Sequence, residues 1–166
     1  IFDDSISATQ ISVLTTGKKN GLRYEFKFDK NAQAYMEENG YELVEYGIIF
    51  ASADNKANAT LSKSGNEYVT SSDKITQKAI VKGNNWAEGA KIISDSETET
   101  VFAGTLVNWT EDHYAQEAYI CAYSIYRDAE GVETISYISY GDEEGQSAAY
   151  ATCSLAKLMN FMVVNN

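Results

Sequence analysis

The clearest pattern in the chain is an alternation of apolar and polar residues between positions 22 and 29. The apolar members are Leu22, Tyr24, Phe26 and Phe28, and the polar members are Arg23, Glu25, Lys27 and Asp29. A period of two residues with one polar face predicts an antiparallel strand that is buried on one side. Residues 8–15 predict an earlier strand, and Gly17 and Gly21 predict a turn between the two.

A second stretch, residues 41–51, is apolar at odd and even positions alike, apart from Glu42 and Glu45. This pattern predicts a central strand that is covered on both faces. Gly47 within it indicates a bulge or a close neighbour. Because side chains of a strand alternate between its faces, we expect Glu42 and Glu45 on opposite sides, which is wrong for a cooperating carboxylate pair.

The rest of the chain predicts more strands and few helices. Further strands are predicted at residues 74–82, 101–109, 117–127 and 132–140, with a hairpin loop between the last two. A short helix is predicted at 29–39, where Asp29 or Asn31 can cap the amino end, and a carboxyl-terminal helix at 147–160.

Residues 52–73 are mostly polar and predict an extended surface excursion with room for one short helix or hairpin. The elements together predict a mainly β fold in a single module spanning residues 1–166. The expected architecture is an antiparallel β-sandwich, immunoglobulin-like or jelly-roll-like, with one short helix and a carboxyl-terminal helix.

The charge balance narrows the classes of partner. The 166 residues include 13 Lys and Arg against 24 Asp and Glu, which gives a formal net charge of −11. Nucleic acid and anionic membranes would be repelled, so we expect neither as a partner, and the same charge favours a monomer. Because the sequence begins at Ile1 without an initiator methionine, we expect a piece excised from a longer protein.

No motif in the sequence names a reaction, and we expect a protein that is not an enzyme. The single histidine, His113, has acidic neighbours, but no G-x-S-x-G nucleophile elbow occurs. We therefore interpret His113 as a polar loop residue. Glycoside hydrolysis needs only two carboxylates roughly 5–10 Å apart, and the many acidic residues leave that alternative open.

We expect no cofactor, with structural calcium as the alternative. The acidic candidates are Asp95, Glu97 and Glu99, which alternate, and Asp142, Glu143 and Glu144, which are adjacent. Calcium takes oxygen ligands of this kind, but neither stretch has the EF-hand spacing. We interpret both as solvated acidic surface.

The two cysteines leave two interpretations open. Cys121 lies within a predicted strand, and Cys153 lies on the apolar row of the predicted carboxyl-terminal helix. They could meet in a disulfide if the helix docks on the sheet. We favour two buried free thiols, because a core of this size does not need the bond.

The two tryptophans are the strongest candidates for a binding site. The ring and polar residues of this predicted site are Trp86 with Asn84 and Asn85, and Trp109 with Asn108, Asp112 and Tyr114. Sugar rings lay their C–H faces on aromatic rings while amides and carboxylates bind their hydroxyls, so the pattern predicts carbohydrate binding. The alternative is that one or both tryptophans are core anchors. The polar surroundings of Trp86 favour its exposure.

Several segments resemble β-sandwich modules of extracellular proteins from gut-type Gram-positive bacteria. They are GLRYEFKF at 21–28, YELVEYGIIFA at 41–51, residues 104–141, and SAAYATCSLAKL at 147–158. The shared features are alternating strands, an aspartate-to-glycine hairpin and a docking helix. The resemblance implies an extracellular or cell-surface location, a non-catalytic role and carbohydrate binding, and no site residue is carried over from it.

Two functions of different classes follow. The first is a carbohydrate-binding module that holds a neutral polysaccharide, such as starch or a plant-wall glycan, beside other modules of its parent protein. The second is a structural spacer or a protein-interaction or adhesin domain, in which the tryptophans belong to the core. A small hydrolase is a third alternative.

Overall fold

The computed structural model describes residues 5–14, 21–70, 77–81, 90–107 and 111–159. These residues form strands β1 (Ile6–Leu14), β2 (Gly21–Asp29), β3 (Glu42–Ser52), β4 (Ser62–Ser64), β5 (Glu67–Val69), β6 (Gln77–Ile80), β7 (Ala90–Asp95), β8 (Glu99–Val107), β9 (Ala118–Arg127), β10 (Glu133–Ser139) and β11 (Thr152–Cys153). The helical elements are α1 (Lys30–Glu38), the 3-10 helices Ala53–Asn58, Glu111–His113 and Ala148–Tyr150, and residues 155–159.

The strands form two antiparallel sheets that pack face to face. The four-stranded sheet has the order β1-β2-β8-β7, and the five-stranded sheet has the order β10-β9-β3-β6, with β11 also paired to β9. Strands β4 and β5 form a separate hairpin. The predicted mainly β, antiparallel sandwich is confirmed. The described residues form no helix that is long and apolar enough to cross a membrane.

The core between the sheets is aromatic and uses the alternation seen in the sequence. Leu22, Tyr24, Phe26 and Phe28 are all buried on the inner face of β2. Phe26 stacks on Phe102 of β8, with ring centroids 5.6 Å apart. Phe28 stacks on Tyr46 of β3, with centroids 4.2 Å apart, and this contact joins the two sheets. Ring stacking adds to the free energy gained by burying the rings.

Strand β3 is central and buried on both faces, as its sequence predicts. It pairs with β9 on one side and β6 on the other. Its inner face carries Ile48 and Phe50, and its outer face carries Ile49 and Ala51. Gly47 has the close neighbour that its position suggested, because a Cβ there would stand 2.1 Å from the carbonyl oxygen of Ala79.

A polar segment of the chain covers the outer face of the five-stranded sheet. We call this segment, residues 53–69, the cover; it consists of the 3-10 helix Ala53–Asn58 and the β4–β5 hairpin. Its buried side chains Ala59, Leu61 and Tyr68 pack on the outer face of the sheet and form a second apolar cluster. The outer-face members from the central strands are Ile49, Ala51, Tyr119, Cys121, Tyr123 and Ile125. The predicted excursion therefore contains both a short helix and a hairpin.

The short helix agrees with its predicted cap. Asp29 stands at the amino end of α1, and its carboxylate accepts hydrogen bonds from the backbone N–H groups of Asn31 at 2.8 Å and Ala32 at 3.2 Å. Such a cap satisfies donors that the first helical turn leaves without a partner. The helix buries Met36 against the inner core.

The predicted carboxyl-terminal helix at 147–160 is interrupted. Thr152 and Cys153 form β11, which pairs with Tyr119 and Ala118 of β9. Strand β10 ends opposite Cys121, so the first residues of β9 have a free edge that β11 occupies. Helical structure resumes only at residues 155–159, where the Ser154 hydroxyl accepts a hydrogen bond from the backbone N–H of Lys157 at 3.0 Å. Ser154 is therefore a helix cap rather than a helix-interior residue.

Candidate functional site

The structure describes two of the residues that the sequence nominates for binding. Asp112 is exposed in the 3-10 helix Glu111–His113, and Tyr114 is half-buried against the inner core. The other nominated residues, Asn84, Asn85, Trp86, Asn108 and Trp109, lie outside the described residues.

The loop that carries Asp112 and Tyr114 is held at one end of the sandwich by backbone hydrogen bonds. The N–H of Ala156 donates to the carbonyl of Tyr114 at 2.9 Å. The N–H of Ala53 donates to the carbonyl of Glu117 at 3.0 Å. The second bond places the end of this loop directly beside the first residue of the cover.

An open groove lies between the cover and the five-stranded sheet. Its volume is about 560 Å³, and its lining residues are Ala53, Asp54, Lys56, Ala57, Ala59, Thr60, Tyr119 and Tyr137. Two tyrosines line it, the half-buried Tyr137 from β10 and the buried Tyr119 from β9. Binding sites for small ligands are generally concave and largely apolar, with a few polar groups. This groove is lined mainly by alanines and tyrosines, with Asp54, Lys56 and Thr60 as its polar residues.

Hydrogen bonds fix the two tyrosine rings of the groove. The Tyr119 hydroxyl lies 2.6 Å from the Ser139 hydroxyl, and the Tyr137 hydroxyl accepts a bond from the backbone N–H of Leu61 at 2.9 Å. Burial raises the pKa of Tyr119, so its hydroxyl stays protonated at neutral pH. The hydrogen bonds hold both rings in place; Tyr137 is half-buried, and Tyr119 is only 8% exposed beneath the rim.

The rim of the groove is polar and exposed. Asp54, Lys56 and Thr60 contribute a carboxylate, an ammonium and a hydroxyl. The Lys56 ammonium lies over the Tyr119 ring, 5.3 Å from its centroid. Rigid rings with hydrogen-bonding groups around them can hold a ligand that is apolar on its faces and polar at its edge.

The groove residues do not appear in the site predicted from the sequence. The groove exists only because the cover folds back on the sheet, and residues 53–60 are separated from Tyr119 and Tyr137 along the chain. The one local signal is the number of tyrosines in the long strands β9 and β10.

A set of paired charges lies at the other end of the cover. This ionic cluster consists of the acids Glu42, Glu45 and Glu133 and the bases Lys63, Lys78 and Arg127. Lys78 pairs with Glu45 at 3.0 Å and also donates to the carbonyl of Tyr68. Arg127 contacts Glu42 at 3.5 Å and Glu133 at 3.2 Å. Lys63 of the hairpin forms an ion pair with Glu133 of β10.

The predicted placement of Glu42 and Glu45 on opposite faces is wrong. The register of β3 against β9 shifts between Leu43 and Glu45, so Glu42 lies opposite Arg127 and Glu45 lies opposite Ile125. An extra residue in a strand reverses the alternation beyond it. Both carboxylates consequently face the outer side of the sheet.

The ionic cluster holds the cover on the sheet through the Lys63–Glu133 ion pair and the hydrogen bond from Lys78 to the Tyr68 carbonyl. The pKa of Glu133 lies below its usual range, mainly because its carboxylate accepts a hydrogen bond from the Lys63 ammonium. A carboxylate that stays ionised is suited to an ion pair and poorly suited to donating a proton. The Tyr123 hydroxyl donates to Glu45, so this carboxylate has partners on both neighbouring strands, Tyr123 on β9 and Lys78 on β6.

Two of the acidic residues considered for calcium, Asp95 and Asp142, have partners within the protein. The Asp95 carboxylate accepts bonds from Lys30 at 2.7 Å and from the Thr100 hydroxyl at 2.8 Å. The Asp142 carboxylate accepts a bond from the backbone N–H of Ser139 at 2.7 Å. Within the described ranges, no three His, Cys, Asp or Glu side chains are grouped so that they could hold a metal ion.

Both cysteines are buried free thiols, as favoured from the sequence. Cys121 belongs to the outer apolar cluster and Cys153 to the core between the sheets, so the five-stranded sheet separates them. Burial raises the pKa of Cys121 to about 12 and that of Cys153 to about 11. Neither thiol is a nucleophile at neutral pH.

Comparison with known proteins gives no assignment. The chain matches no protein-family model, and neither curated proteins nor solved structures give a significant match.

Proposed function

We propose that the chain is a non-catalytic extracellular module that binds a neutral polysaccharide, such as starch or a plant-wall glycan. The observation that carries the proposal is the groove with two fixed tyrosine rings, Tyr119 and Tyr137, and a polar rim. Aromatic faces accept the C–H faces of sugars, and rim groups can bind the hydroxyls. The volume of about 560 Å³ falls within the roughly 300–1,000 Å³ that is usual for ligand sites.

The position of the groove links it to the site predicted from the sequence. The loop with Asp112 and Tyr114 follows Trp109 in the chain, and its last residue, Glu117, is bonded to Ala53 at the groove. A polymer lying in the groove could therefore extend towards this loop. Trp86 and Trp109 remain the proposed additional stacking residues.

The charge of the protein supports a neutral ligand rather than an acidic one. The net charge of −11 repels polyanions such as pectate. The charged groups at the groove rim, Asp54 and Lys56, balance one another. A neutral glycan meets no electrostatic barrier at such a surface.

The test is affinity electrophoresis through gels containing amylopectin, pullulan, xylan, glucomannan or β-glucan. We expect one polysaccharide to retard the protein. The double variant Asp54→Ala with Thr60→Ala should reduce that retardation, while Glu97→Ala, an exposed acid on the four-stranded side of the molecule, should not. If both variants are retarded equally, the groove is not the binding site. If no gel retards the wild-type protein, the proposal of carbohydrate binding is overturned.

A second candidate is a structural spacer or protein-interaction domain of a bacterial surface protein. The ionic cluster favours it, because Lys63 of the cover pairs with Glu133 and Lys78 donates to the Tyr68 carbonyl, so these two lysines hold the cover on the sheet. This candidate predicts no retardation by any glycan and a melting temperature that falls when Lys63 or Lys78 is replaced by alanine.

A further inference from the structure

The ammonium group of Lys56 covers the part of the groove that Tyr119 lines. The Lys56 ammonium lies 5.3 Å from the centroid of the Tyr119 ring, and both residues line the groove. A cation is attracted to the face of an aromatic ring by the ring quadrupole. A sugar would stack on the same kind of face, so the two compete for the same surface.

Lys56 has no stronger attachment to the rest of the described structure. Among the residues that the structure describes, its side chain has the Tyr119 ring as its partner and forms no ion pair. Lys56 is exposed, in the 3-10 helix Ala53–Asn58 at the rim. Its ammonium can therefore move into water without breaking an ion pair with any described residue.

We infer that Lys56 is a specificity-determining residue of the groove, because its ammonium occupies the Tyr119 face until a stacking ligand displaces it. This inference rests on the proposed function. A neutral sugar ring replaces the ammonium and leaves it hydrated at the rim. A polymer with amino groups would meet the displaced positive charge and be disfavoured. Because the net charge of −11 repels acidic polymers, the class of ligand selected is an uncharged glycan.

The experiment compares three variants against the polysaccharide that retards the wild-type protein most. Lys56→Ala removes the competitor, and we expect binding about two- to fivefold tighter, the worth of an exposed cation–ring contact. Lys56→Arg keeps the charge and stacks better on aromatic faces, so we expect weaker binding. Lys91→Ala, which removes an exposed lysine of β7, is the matched control and should bind like the wild type.

Weaker binding of the polysaccharide by Lys56→Ala than by the wild type would overturn the inference. A lysine that donates hydrogen bonds to the ligand predicts weaker binding for Lys56→Ala. Equal binding of Lys56→Ala and the wild type would also overturn it while leaving the groove as the site. If no gel retards the wild type or Lys56→Ala, the proposed function fails and the inference fails with it. Urea unfolding of each variant separates these results from a loss of fold.

Discussion

Gly47 of β3 lies directly against the backbone of Ala79 in β6. A Cβ on Gly47 would stand 2.1 Å from the Ala79 carbonyl oxygen and 2.9 Å from the Tyr123 hydroxyl. Real Cβ atoms do not approach a carbonyl oxygen so closely, and backbone cannot rotate away as a side chain can. The register pairs Gly47 with Ile80, so the edge strand β6 is seated here because position 47 has no side chain.

We predict that Gly47→Ala destabilises the fold by roughly 3 kcal/mol or displaces β6, because overpacking a seated strand forces its backbone to move. Urea unfolding followed by circular dichroism measures the change. Gly104→Ala is the matched control, because the atoms nearest to its Cβ would be side-chain atoms of Ile48 and Phe50, at 3.0–3.1 Å. Those side chains can shift, so we expect a smaller loss. A Gly47→Ala protein as stable as the wild type would contradict the close approach of the strands.

The ion pair between Lys63 and Glu133 predicts a loss of stability in acid. Lys63 lowers the folded-state pKa of Glu133 below its unfolded value of about 4.3. Stability from this group is therefore complete above the unfolded pKa and is lost as the pH falls through the folded one. We expect Glu133→Gln to be less stable than the wild type at pH 7, and the difference to shrink as the pH falls below about 4.

Urea midpoints measured at a series of pH values would show this convergence. Glu97→Gln is the control, because Glu97 is exposed and no ion pair holds it among the described residues. Its difference from the wild type should stay near zero at every pH. A constant difference for Glu133→Gln would show that its effect comes from packing rather than from charge.

The two buried thiols predict a native protein that is inert to thiol reagents. Cys121 and Cys153 are both fully buried, and their pKa values of about 12 and about 11 leave almost no thiolate at pH 8. We expect the thiol reagent DTNB to label neither cysteine in the native protein and both after unfolding in urea. Ser62→Cys, which adds a thiol at an exposed position of β4, should react at once. Fast labelling of the native wild type would contradict the burial of both thiols.

The strands could be predicted because alternation is a local property of the chain. Residues 22–28 and 41–51 carry their burial pattern in the sequence, and the structure buries the same side chains. The hairpin loop was also local: the Asp128 carboxylate accepts bonds from the N–H groups of Glu130 and Val132, both at 2.9 Å. At these positions the structure depends on residues that are near in the sequence, so the sequence alone predicts it.

The bulge in β3 and the break at β11 could not be predicted, because each depends on a partner far along the chain. Val44 is apolar like Leu43 before it, so the apolar pattern of residues 41–51 does not mark the shift that turns Glu45 outwards. Cys153 has helical spacing with Ala149 and Ala156, but Thr152 and Cys153 pair with the free edge of β9 as a strand. The groove has the same origin, since it requires the cover to be packed against Tyr119 and Tyr137.

Trp86 and Trp109, which lie outside the described residues, give the last prediction. If Trp86 stacks on a glycan, Trp86→Ala should abolish retardation in the gel that retards the wild type and leave the melting temperature unchanged. An exposed tryptophan emits at longer wavelength and is quenched by iodide, so the variant should also lose the iodide-quenched part of the fluorescence. The same substitution at Trp109 separates its two interpretations, because loss of a core anchor would lower the melting temperature by several degrees. A Trp86→Ala protein that unfolds early but binds normally would assign this residue to the core and leave the groove as the binding site.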